Sequence, residues 1–516
     1  MVKEDRLIIG KNDEFEASLL LKMASRHGLI TGASGTGKTI TSKVMAENFS
    51  DAGIPVFMAD VKGDLSGTAC PGESNDNINS RINNLKLDNF ELRSYPVTFW
   101  DVYRENGIPI RFKVKEVGPT VLSMMLGLSE AQEGVLNILF KIAEDENLDL
   151  DDLKDLKYAL NYIGENRNKY TLEYGTITTQ SVGVILRSLS LLENQGLAKF
   201  FGEPTLDIND LIKIDNGRGV INLLDAVELY KNPDLYSAVM LCLLTKLYDT
   251  MPEVGEVDKP KIVFFFDEAY YLFREMPSYR LKQIEKIVRL VRSKGIGLYF
   301  ISHYTTDIPD SIINQLGNRV QHNLKAYTPA DQRIAKAAAD SFRTNPNFKT
   351  YETILELGTG EALVTFLNEK GEPSVVERVT IFPPQSLIGV IDMFSRNKIT
   401  NSNPLLTKYY EDIDDESAYE KIKAITVSKE EEEKRIREEQ EAKKKELEEA
   451  KEKERLEKEE AKKKKEEERK KLAEEKEKEK AKKNDPMYKI GKKVGNQATN
   501  TVIRKVVNNL TKNWFK

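Results

Sequence analysis

Short, continuous runs of apolar residues alternate with amphipathic stretches over most of the chain. The runs have the length and composition of strands that a parallel sheet buries on both faces. The stretches between them repeat their apolar residues at helical spacing. This alternation predicts an α/β fold with a mostly parallel, doubly wound sheet. The predicted strands cover residues 54–59, 220–224, 262–266 and 298–302, followed by shorter ones at 361–367 and 375–381.

The predicted helices fall into two groups. Residues 39–49, 235–248 and 281–294 lie between predicted strands, as the crossover connections of a parallel sheet require. Residues 116–200 instead contain successive helical patterns without an intervening strand, which predicts a helical insertion in the α/β domain. The patterns within that insertion cover residues 121–128, 131–143, 153–163 and 180–193.

The C-terminal part of the chain has a different pattern. Residues 429–483 contain no glycine or proline, and their large apolar residues are Ile436, Leu447, Leu456 and Leu472. Because these four residues do not keep a heptad spacing, we expect a single solvated helix, with a coiled coil as the alternative. Glutamates placed four residues before a lysine or arginine stabilise such a helix by about 0.2–0.5 kcal/mol per pair.

The patterns divide the chain into six regions. We predict an N-terminal part of the α/β core (1–115), the helical insertion (116–200), a C-terminal part of the core (201–400), a linker (401–427), the charged helix (428–483) and a basic amphipathic segment (484–516). In the last region, apolar residues recur at helical spacing among lysines and arginines. That pattern fits a helix that docks on the protein itself or on another copy, or an anchor for a membrane surface, DNA or a partner.

Charge is unevenly distributed along the chain. The formal net charge is −5, but residues 1–427 carry 48 basic and 60 acidic side chains, a net charge of −12. Binding of nucleic acid requires positive potential facing the phosphates. The acidic body therefore excludes a generic polyanion binder, and a DNA site would have to be a local basic patch such as a pore lining.

The cysteine content and the hydropathy indicate the cellular compartment in which the protein works. Cys70 and Cys242 match neither a disulfide framework nor a metal-binding spacing, and the sequence shows no secretory leader. No apolar run reaches the about 18 residues that a membrane-spanning helix needs. These features predict a reduced, cytoplasmic protein without a transmembrane segment.

A glycine-rich loop follows the apolar residues 26–31. It fits the pattern G-x-x-x-x-G-K-[ST], in which backbone N–H groups and the N-terminus of the next helix surround phosphates. Lys38 is expected to reach the β- and γ-phosphates of ATP, and the Thr39 hydroxyl to bind Mg²⁺. The predicted nucleotide-binding residues are Gly32, Ala33, Ser34, Gly35, Thr36, Gly37, Lys38 and Thr39.

An acidic pair follows the predicted strand at residues 262–266. Asp267 is placed to hold Mg²⁺, and Glu268 is the candidate general base that activates the attacking water. An Asp-Glu pair after a strand can also be a charge pair at the start of a helix. Together with the glycine-rich loop, however, the pair predicts a P-loop ATPase that uses Mg²⁺.

Three further residues are weaker catalytic candidates. His303 follows the predicted strand at 298–302, where a sensor of the γ-phosphate would sit, and its alternative is a structural histidine. Arg319 and Arg343 are candidates for an arginine that stabilises transition-state charge, in this site or in that of a neighbouring subunit. Their alternative is an ordinary surface salt bridge.

Several blocks of the sequence resemble the bacterial YjgR-like proteins, which are helicase HerA-like ATPases of the HerA/FtsK superfamily. The resemblance covers about residues 5–400 in collinear order, and residues 491–516 are also similar. The blocks are RHGLI (26–30) before the glycine-rich loop, ADVKGDLSG (59–67), FFGEP (200–204), FFDEA (265–269), DIPD (307–310), QLGNRVQH (315–322) and GEALV (360–364).

This resemblance implies a RecA-like domain of the additional-strand, catalytic-glutamate class. It also implies a homo-oligomer, expected to be a hexamer, with ATP between subunits and a pore that can pump DNA. Asp60, Lys62 and Asp64 would lie beside the nucleotide, with a simple polar turn as the alternative. His303 stands where the family usually has glutamine.

Two classes of function remain open. In the first, the protein is a DNA-dependent ATPase that acts as a translocase or helicase-like motor. In the second, it is a nucleotide-gated oligomeric assembly whose tail recruits a partner or a membrane without pumping DNA. The acidic body favours the second, whereas the resemblance favours the first more strongly.

Overall fold

A computed structural model describes residues 2–3, 5–274 and 276–483, with the backbone alone for residues 481–483. The predicted basic segment at 484–516 therefore lies outside the described residues. Residues up to Ile425 form one compact unit, and the chain from Thr426 onward forms a second. No helix of the described residues has both the length and the apolar character needed to span a membrane.

Thirteen of the strands in the described residues form a single mixed sheet, and two more form a small hairpin. The hairpin consists of β8 and β9. In chain order the strands are β1 Val2–Lys3, β2 Arg6–Lys11, β3 Glu16–Leu20, β4 Gly28–Thr31, β5 Val56–Asp60, β6 Val97–Asp101, β7 Ile108–Pro109, β8 Ile214–Asp215, β9 Arg218–Gly219, β10 Ile221–Asp225, β11 Ile262–Phe266, β12 Ile296–Ser302, β13 Asn318–Gln321, β14 Glu361–Thr365 and β15 Glu377–Ile381.

The strand order of the sheet is β1-β2-β15-β14-β13-β4-β12-β11-β5-β10-β6-β7, with β3 paired to β2. From β13 to β7 every neighbouring pair is parallel, whereas the pairs on the other side of β13 are antiparallel. The predicted mostly parallel sheet is therefore confirmed, and the N-terminal hairpin β2–β3 at its antiparallel end was not predicted. Strand β12 lies between β4 and β11, as the additional-strand class of P-loop ATPases requires.

Helices cover both faces of this sheet. Alternate residues of β11 point to opposite faces, so Phe264 packs in one core and Phe265 in the other. The helices are α1 Lys38–Asp51, α2 Asp76–Asn84, α3 Val114–Met125, α4 Glu130–Asp145, α5 Leu153–Glu165, α6 Arg167–Tyr174, α7 Thr179–Asn194, α8 Ile208–Leu211, α9 Pro233–Thr250, α10 Tyr270–Phe273, α11 Ser278–Val291, α12 Asp310–Ile313, α13 Pro329–Asp340, α14 Thr350–Glu356, α15 Met393–Ser402, α16 Pro404–Tyr409 and α17 Ala418–Lys483.

The segment predicted as a helical insertion contains α3 to α7. Four of these helices match the predicted patterns, whereas α6 was not predicted because Tyr170 is its one buried residue. Helix α3 starts before the predicted position and changes direction at Gly118, which has a φ of 72° and precedes Pro119. The apolar residues of the insertion share one hydrophobic core with a face of the sheet.

The segment predicted as a linker, residues 401–427, differs from that prediction. It contains α16 and the start of α17, and Tyr409 is fully buried. The guanidinium of Arg111 donates to the Tyr409 carbonyl over 2.7 Å, and the Tyr409 hydroxyl donates to Asp210 over 2.6 Å. The aromatic and aliphatic residues of this short segment thus pack into the first unit as a structured part of it.

Helix α17 begins ten residues before the predicted charged helix and continues to Lys483. Every residue from 426 to 480 is exposed, and the four large apolar residues of this part are only about half covered. The side chains of Glu439 and Lys443 pair over 2.8 Å at the i, i+4 spacing. The choice between a single helix and a coiled coil stays a prediction.

Candidate active site

The glycine-rich loop connects the buried strand β4 to helix α1. Gly32 and Gly37 have φ angles of 153° and 118°, which side-chain-bearing residues rarely adopt. A Cβ atom on Gly32 would lie only 2.5 Å from the Cβ of His322. The pattern of glycines seen in the sequence is therefore required both by the backbone path and by the close approach of β13.

Backbone contacts to neighbouring strands hold the loop in place. The Gly32 N–H donates to the carbonyl of His303 over 3.2 Å, and the Ala33 N–H to that of Asn323 over 2.9 Å. On the other side, the Gly360 N–H donates to the Thr36 carbonyl over 3.0 Å. The loop is thus fixed by the segments that follow β12 and β13 and by the turn that precedes β14.

Lys38 starts helix α1 and points back over the loop. Its ammonium donates to the carbonyls of Gly32 and Ala33 over 2.7 and 3.3 Å. Burial lowers the pKa of Lys38, and the negative charges of Glu268 and Asp267 act in the opposite direction. The lysine of the loop therefore lies in the electrostatic field of the acidic pair, as the two motifs predict.

The acidic pair follows directly after β11. The Asp267 carbonyl accepts the hydroxyl of Tyr236 over 2.6 Å, and its Oδ1 accepts the N–H of Glu268 over 2.9 Å. Burial raises the pKa of Asp267 to about 6, and the charge of Glu268 adds to this effect. A cation that approaches the Asp267 carboxylate therefore stabilises its ionised form.

Glu268 is held at both carboxylate oxygens. Its Oε2 lies 3.3 Å from Nε2 of His303, and its Oε1 lies 4.0 Å from the ammonium of Lys62. Burial raises the pKa of Glu268, but the hydrogen bond from His303 and the charges of His303, Lys62 and Lys38 outweigh burial, so the pKa is lowered. The carboxylate is therefore ionised at neutral pH and can accept a proton.

These contacts bring most of the predicted site residues together. Lys38, Asp267, Glu268 and His303 meet at the carboxyl edge of the sheet because β4, β12 and β11 are adjacent and parallel. Thr39 is the second residue of α1 and is half-buried beside them. Ligands of open α/β sheets bind at this edge.

Arg319 and Arg343 lie elsewhere. Arg319 pairs with Leu29 near the start of β13, and its guanidinium donates to the carbonyls of Leu316, Ile313 and Ser341. Both arginines line a cavity of about 590 Å³ at the amino ends of β4, β12 and β13. The structure therefore does not bring them to the glycine-rich loop of their own chain, because strand β13 carries Arg319 on the opposite edge of the sheet.

This arginine cavity is strongly basic. Five arginines and one carboxylate line it: Arg26, Arg289, Arg292, Arg319, Arg343 and Glu372. Burial lowers the pKa of the Arg319 guanidinium, and the hydrogen bonds recorded for that group end on main-chain carbonyls. Arg319 is half-buried, and its hydrogen bonds among the described residues end on carbonyls, so its charge is available to an anion from outside the chain.

His322 is a site residue that the sequence did not reveal. It is fully buried, its Nδ1 donates to the Glu361 carbonyl and its Nε2 accepts the hydroxyl of Thr41, each over 2.8 Å. Burial lowers its pKa to about 4, so the ring is neutral and supports the loop sterically. The available signal was the run of polar residues that ends β13, as polar residues also end β4 and β12.

The turn after β5 contains the residues that the resemblance placed beside the nucleotide. Asp60 is buried and its Oδ2 accepts the Ser66 N–H over 3.1 Å, which fixes the turn. Burial raises its pKa to about 7, and the charge of Asp64 adds to this effect. Among these residues, Lys62 is the one whose charged group reaches Glu268.

Known proteins with similar sequences support one family. A family model described as "Helicase HerA-like C-terminal" matches residues 5–513. The DNA double-strand break repair helicase HerA of Sulfurisphaera tokodaii is 22% identical over 376 residues, which cover 70% of this chain and 67% of that protein. The protein of the same name from Saccharolobus solfataricus is 22% identical over 417 residues, which cover 78% and 74%.

Two solved structures align with most of this chain at low sequence identity. The plasmid coupling protein TrwB in complex with a non-hydrolysable GTP analogue aligns with a TM-score of 0.49 and 12% identity, covering 76% of this chain and 93% of that one. VirB4 of Thermoanaerobacter pseudethanolicus aligns with a TM-score of 0.47 and 13% identity, covering 74% and 97%.

Proposed function

This chain belongs to the HerA-like C-terminal helicase family and is a P-loop ATPase of the HerA/FtsK superfamily, and from that premise we propose that it is a DNA-dependent motor. The observation that carries the proposal is the meeting of Lys38, Asp267, Glu268 and His303 at one edge of the sheet. Each of these groups has a distinct task in ATP hydrolysis.

The loop of residues 32–39 binds the phosphates. Its backbone N–H groups and the N-terminal end of α1 provide positive potential, to which Lys38 adds a full charge. The contacts that Lys38 now makes with loop carbonyls are weaker than those it gains with a phosphate, because charge-assisted hydrogen bonds are the stronger ones. Lys38 is therefore expected to exchange these contacts when ATP binds.

The oxygen donors of the site fit Mg²⁺. This cation prefers oxygen ligands and takes one or two protein donors beside the phosphates of a nucleotide. The Thr39 hydroxyl and the Asp267 carboxylate supply such donors, and burial has raised the pKa of Asp267 so that a cation stabilises it. When bound, Mg²⁺ neutralises negative charge on the phosphates.

Glu268 acts as the general base. Its ionised carboxylate accepts a proton from the water that attacks the γ-phosphorus, while the bond from that phosphorus to the β–γ bridging oxygen breaks. His303 donates to the same carboxylate and is bonded through its carbonyl to Gly32. His303 thus links the phosphate loop to the base, which is the position expected of a sensor.

The arginine cavity supports assembly into an oligomer. The strands between the two edges of the sheet contain four to seven residues, so the cavity lies roughly 13–23 Å from the phosphate loop of the same chain. Arg319 can therefore stabilise transition-state charge only on a nucleotide that another copy holds. This arrangement fits a homo-oligomer with ATP between subunits, and a hexamer is the form expected of the family.

The experiment that tests the motor is steady-state ATP hydrolysis with and without single- and double-stranded DNA. Wild type is compared with Lys38→Ala, and Lys336→Ala, an exposed lysine on α13, serves as the control. Stimulation by DNA that Lys38→Ala abolishes and Lys336→Ala retains supports the proposal. Hydrolysis that DNA leaves unchanged at low salt contradicts a DNA-dependent motor.

The second candidate is a nucleotide-gated assembly that does not pump DNA. The net charge of −12 over residues 1–427 favours it, because an acidic surface repels phosphates. In that case nucleotide binding would control the oligomeric state, which light scattering with ATP or ADP measures directly. Assembly that follows the nucleotide while hydrolysis ignores DNA would favour this candidate.

A further inference from the structure

The turn that carries Lys62 lies directly beside the acidic pair. Strand β5 pairs in parallel with β11, and Met58 is the partner of Phe265, so the residues after both strands emerge side by side. The turn itself is fixed, because Ser66 donates through its N–H to Asp60 and through its hydroxyl to the Gly63 carbonyl. Lys62 is therefore carried by a fixed turn next to the acidic pair.

Lys62 interacts with the site through one contact. Its ammonium lies 4.0 Å from Oε1 of Glu268, which is its one ion pair within the described part of the chain. The Lys62 side chain is 57% exposed, whereas that of Glu268 is 9% exposed. A long contact to a flexible, exposed lysine is weak and easily exchanged.

Glu268 is constrained more tightly than an ordinary surface glutamate. Its φ of 48° is in the left-handed region, which residues with a side chain rarely adopt. Its other oxygen, Oε2, is taken by His303. One oxygen of the proposed base is thus held by His303, and the other faces the long contact with Lys62.

The two lysines of the site, Lys38 and Lys62, differ in how readily their ammonium groups can bind a new anion. The ammonium of Lys38 is buried over the loop and bonded to two of its carbonyls. Lys62 has no such attachment, and its charge acts on Lys38, Asp267 and Glu268 alike. Lys62 is therefore the cation that can move toward a newly arrived negative charge.

We propose that Lys62 reads the γ-phosphate: its ammonium leaves Glu268 for the γ-phosphate when ATP binds and returns to Glu268 when ADP remains. The exchange frees one oxygen of Glu268 only while a γ-phosphate is present, which ties availability of the base to the substrate. A phosphate oxygen replaces a weak contact with a charge-assisted one, so the exchange is favourable. The inference rests on the proposed function, because it assigns Lys62 to the same ATP site.

A purely structural ion pair between Lys62 and Glu268 would give a different result. If Lys62 only held Glu268, its loss would change the affinities for di- and triphosphates to the same extent. If Lys62 reads the γ-phosphate, its loss weakens the triphosphate selectively. The ratio of the two affinities therefore separates the two roles.

The test uses the full-length chain with Mg²⁺ and measures Kd by calorimetry for ADP and for a non-hydrolysable ATP analogue. We expect Lys62→Met to raise the Kd of the analogue about tenfold and that of ADP less than about twofold. The tenfold change corresponds to about 1.4 kcal/mol of binding free energy. Lys62→Arg should restore most of the difference, and the exposed control Lys336→Met should change neither value. Equal weakening of both ligands, or no weakening of either, overturns the proposal.

Hydrolysis gives a second readout. Lys62→Met should raise KM for ATP about tenfold, in line with the lost phosphate contact. An unchanged KM overturns the inference while leaving the ATPase assignment intact, provided that Lys38→Ala is still inactive. A wild-type chain that hydrolyses no ATP contradicts the proposed function itself.

Discussion

Burial and neighbouring charged groups together set the pKa values of the residues in this site. Glu268 stays ionised because His303 and two lysines surround it, whereas the neighbouring Asp267 has its pKa raised to about 6. Histidines respond in the opposite direction, because burial disfavours their charged form. Burial thus raises the pKa of Asp267 and keeps the buried histidines neutral, whereas the partners of Glu268 outweigh burial and keep its carboxylate ionised.

His27 provides a test of this effect through stability. Its Nε2 donates to the Val288 carbonyl and its Nδ1 accepts the Leu298 N–H, and burial lowers its pKa from 6.5 to about 4. Between these values the unfolded chain binds a proton that the folded chain does not, so folding stability falls as pH falls through that window. At pH 5 the loss relative to pH 7 is about 2 kcal/mol from this residue.

We therefore expect His27→Asn to lose less stability than wild type between pH 7 and pH 5. Asparagine carries no titratable group. Chemical denaturation at the two pH values measures the difference, and comparing each protein with itself removes any constant cost of the substitution. Equal losses in the two proteins would show that protonation of His27 does not destabilise the fold.

The position of a single residue could be predicted where a local sequence motif fixed it. The structure brings Lys38, Asp267 and Glu268 to the edge of the sheet that their motifs predict, because a strand, a tight loop and a helix start determine their positions, and their roles stay predictions. Arg319 was assigned to a charge-stabilising role without a location, because its place on the far edge follows from the pairing of β13 with β4. For His322 the polar end of β13 was a weak signal, because its contacts with Thr41 and Glu361 join segments far apart in sequence.

At the scale of elements, the buried strands were the easiest to predict. Strands β5, β10, β11 and β12 are continuous apolar runs, and each appears within two residues of its predicted start. The antiparallel strands β2 and β3 have shorter or mixed patterns that also fit loops, so they were missed. Helix α16 was taken for a linker because it is only six residues long and contains Pro404, Thr407 and Lys408, although Leu405 and Tyr409 anchor it.

One element that holds the site together is the segment 385–387, which is tied to helix α1. The buried carboxylate of Glu47 accepts the N–H groups of Gln385 and Ser386 over 2.8 and 3.0 Å, and also the hydroxyl of Ser386. Lys43, one turn earlier, donates to the Leu387 carbonyl. Because α1 starts at the phosphate loop, this attachment fixes the helix that presents Lys38.

We expect Glu47→Ala to lower the free energy of unfolding by about 3–5 kcal/mol, because it leaves two buried N–H groups and a buried hydroxyl without their acceptor. Thermal or chemical unfolding measures this change. Glu14→Ala, at an exposed position, is the control and should stay within about 0.5 kcal/mol of wild type. A loss for Glu47→Ala as small as that of the control would contradict the anchoring role.

Helix α17 allows a separate test of the charged region. A fragment of residues 428–483 should be largely helical by circular dichroism, with a signal that does not depend on concentration, because no apolar seam is present. High salt should reduce the helicity, since it screens the Glu–Lys pairs. Helicity that rises with concentration would instead indicate a coiled coil.

At the scale of the whole molecule, the two edges of the sheet have opposite roles. The carboxyl edge holds the glycine-rich loop and Glu268, and the amino edge holds the arginine cavity. A single chain cannot bring these edges together, so the proposed role of Arg319 requires that copies of the chain meet edge to edge. This requirement could not be read from the sequence, because neither edge is defined until the strand order is known.

Mixing two inactive variants tests that arrangement. Arg319→Ala should lower hydrolysis by roughly 10³-fold, and Lys38→Ala should be inactive. A mixture should recover part of the activity, because some interfaces then join an intact phosphate loop from one copy to an intact arginine from another. Wild-type rates for Arg319→Ala, or no recovery in assemblies shown to contain both chains, would contradict the shared site.

The most direct test of the central claim is the comparison of ATP binding and ATP hydrolysis in Glu268→Gln. We expect the variant to bind ATP within about threefold of wild type, whereas its turnover falls about 10²-fold or more, because the amide cannot accept the proton of the attacking water. Turnover close to that of wild type in a variant that still binds ATP would show that Glu268 is not the base.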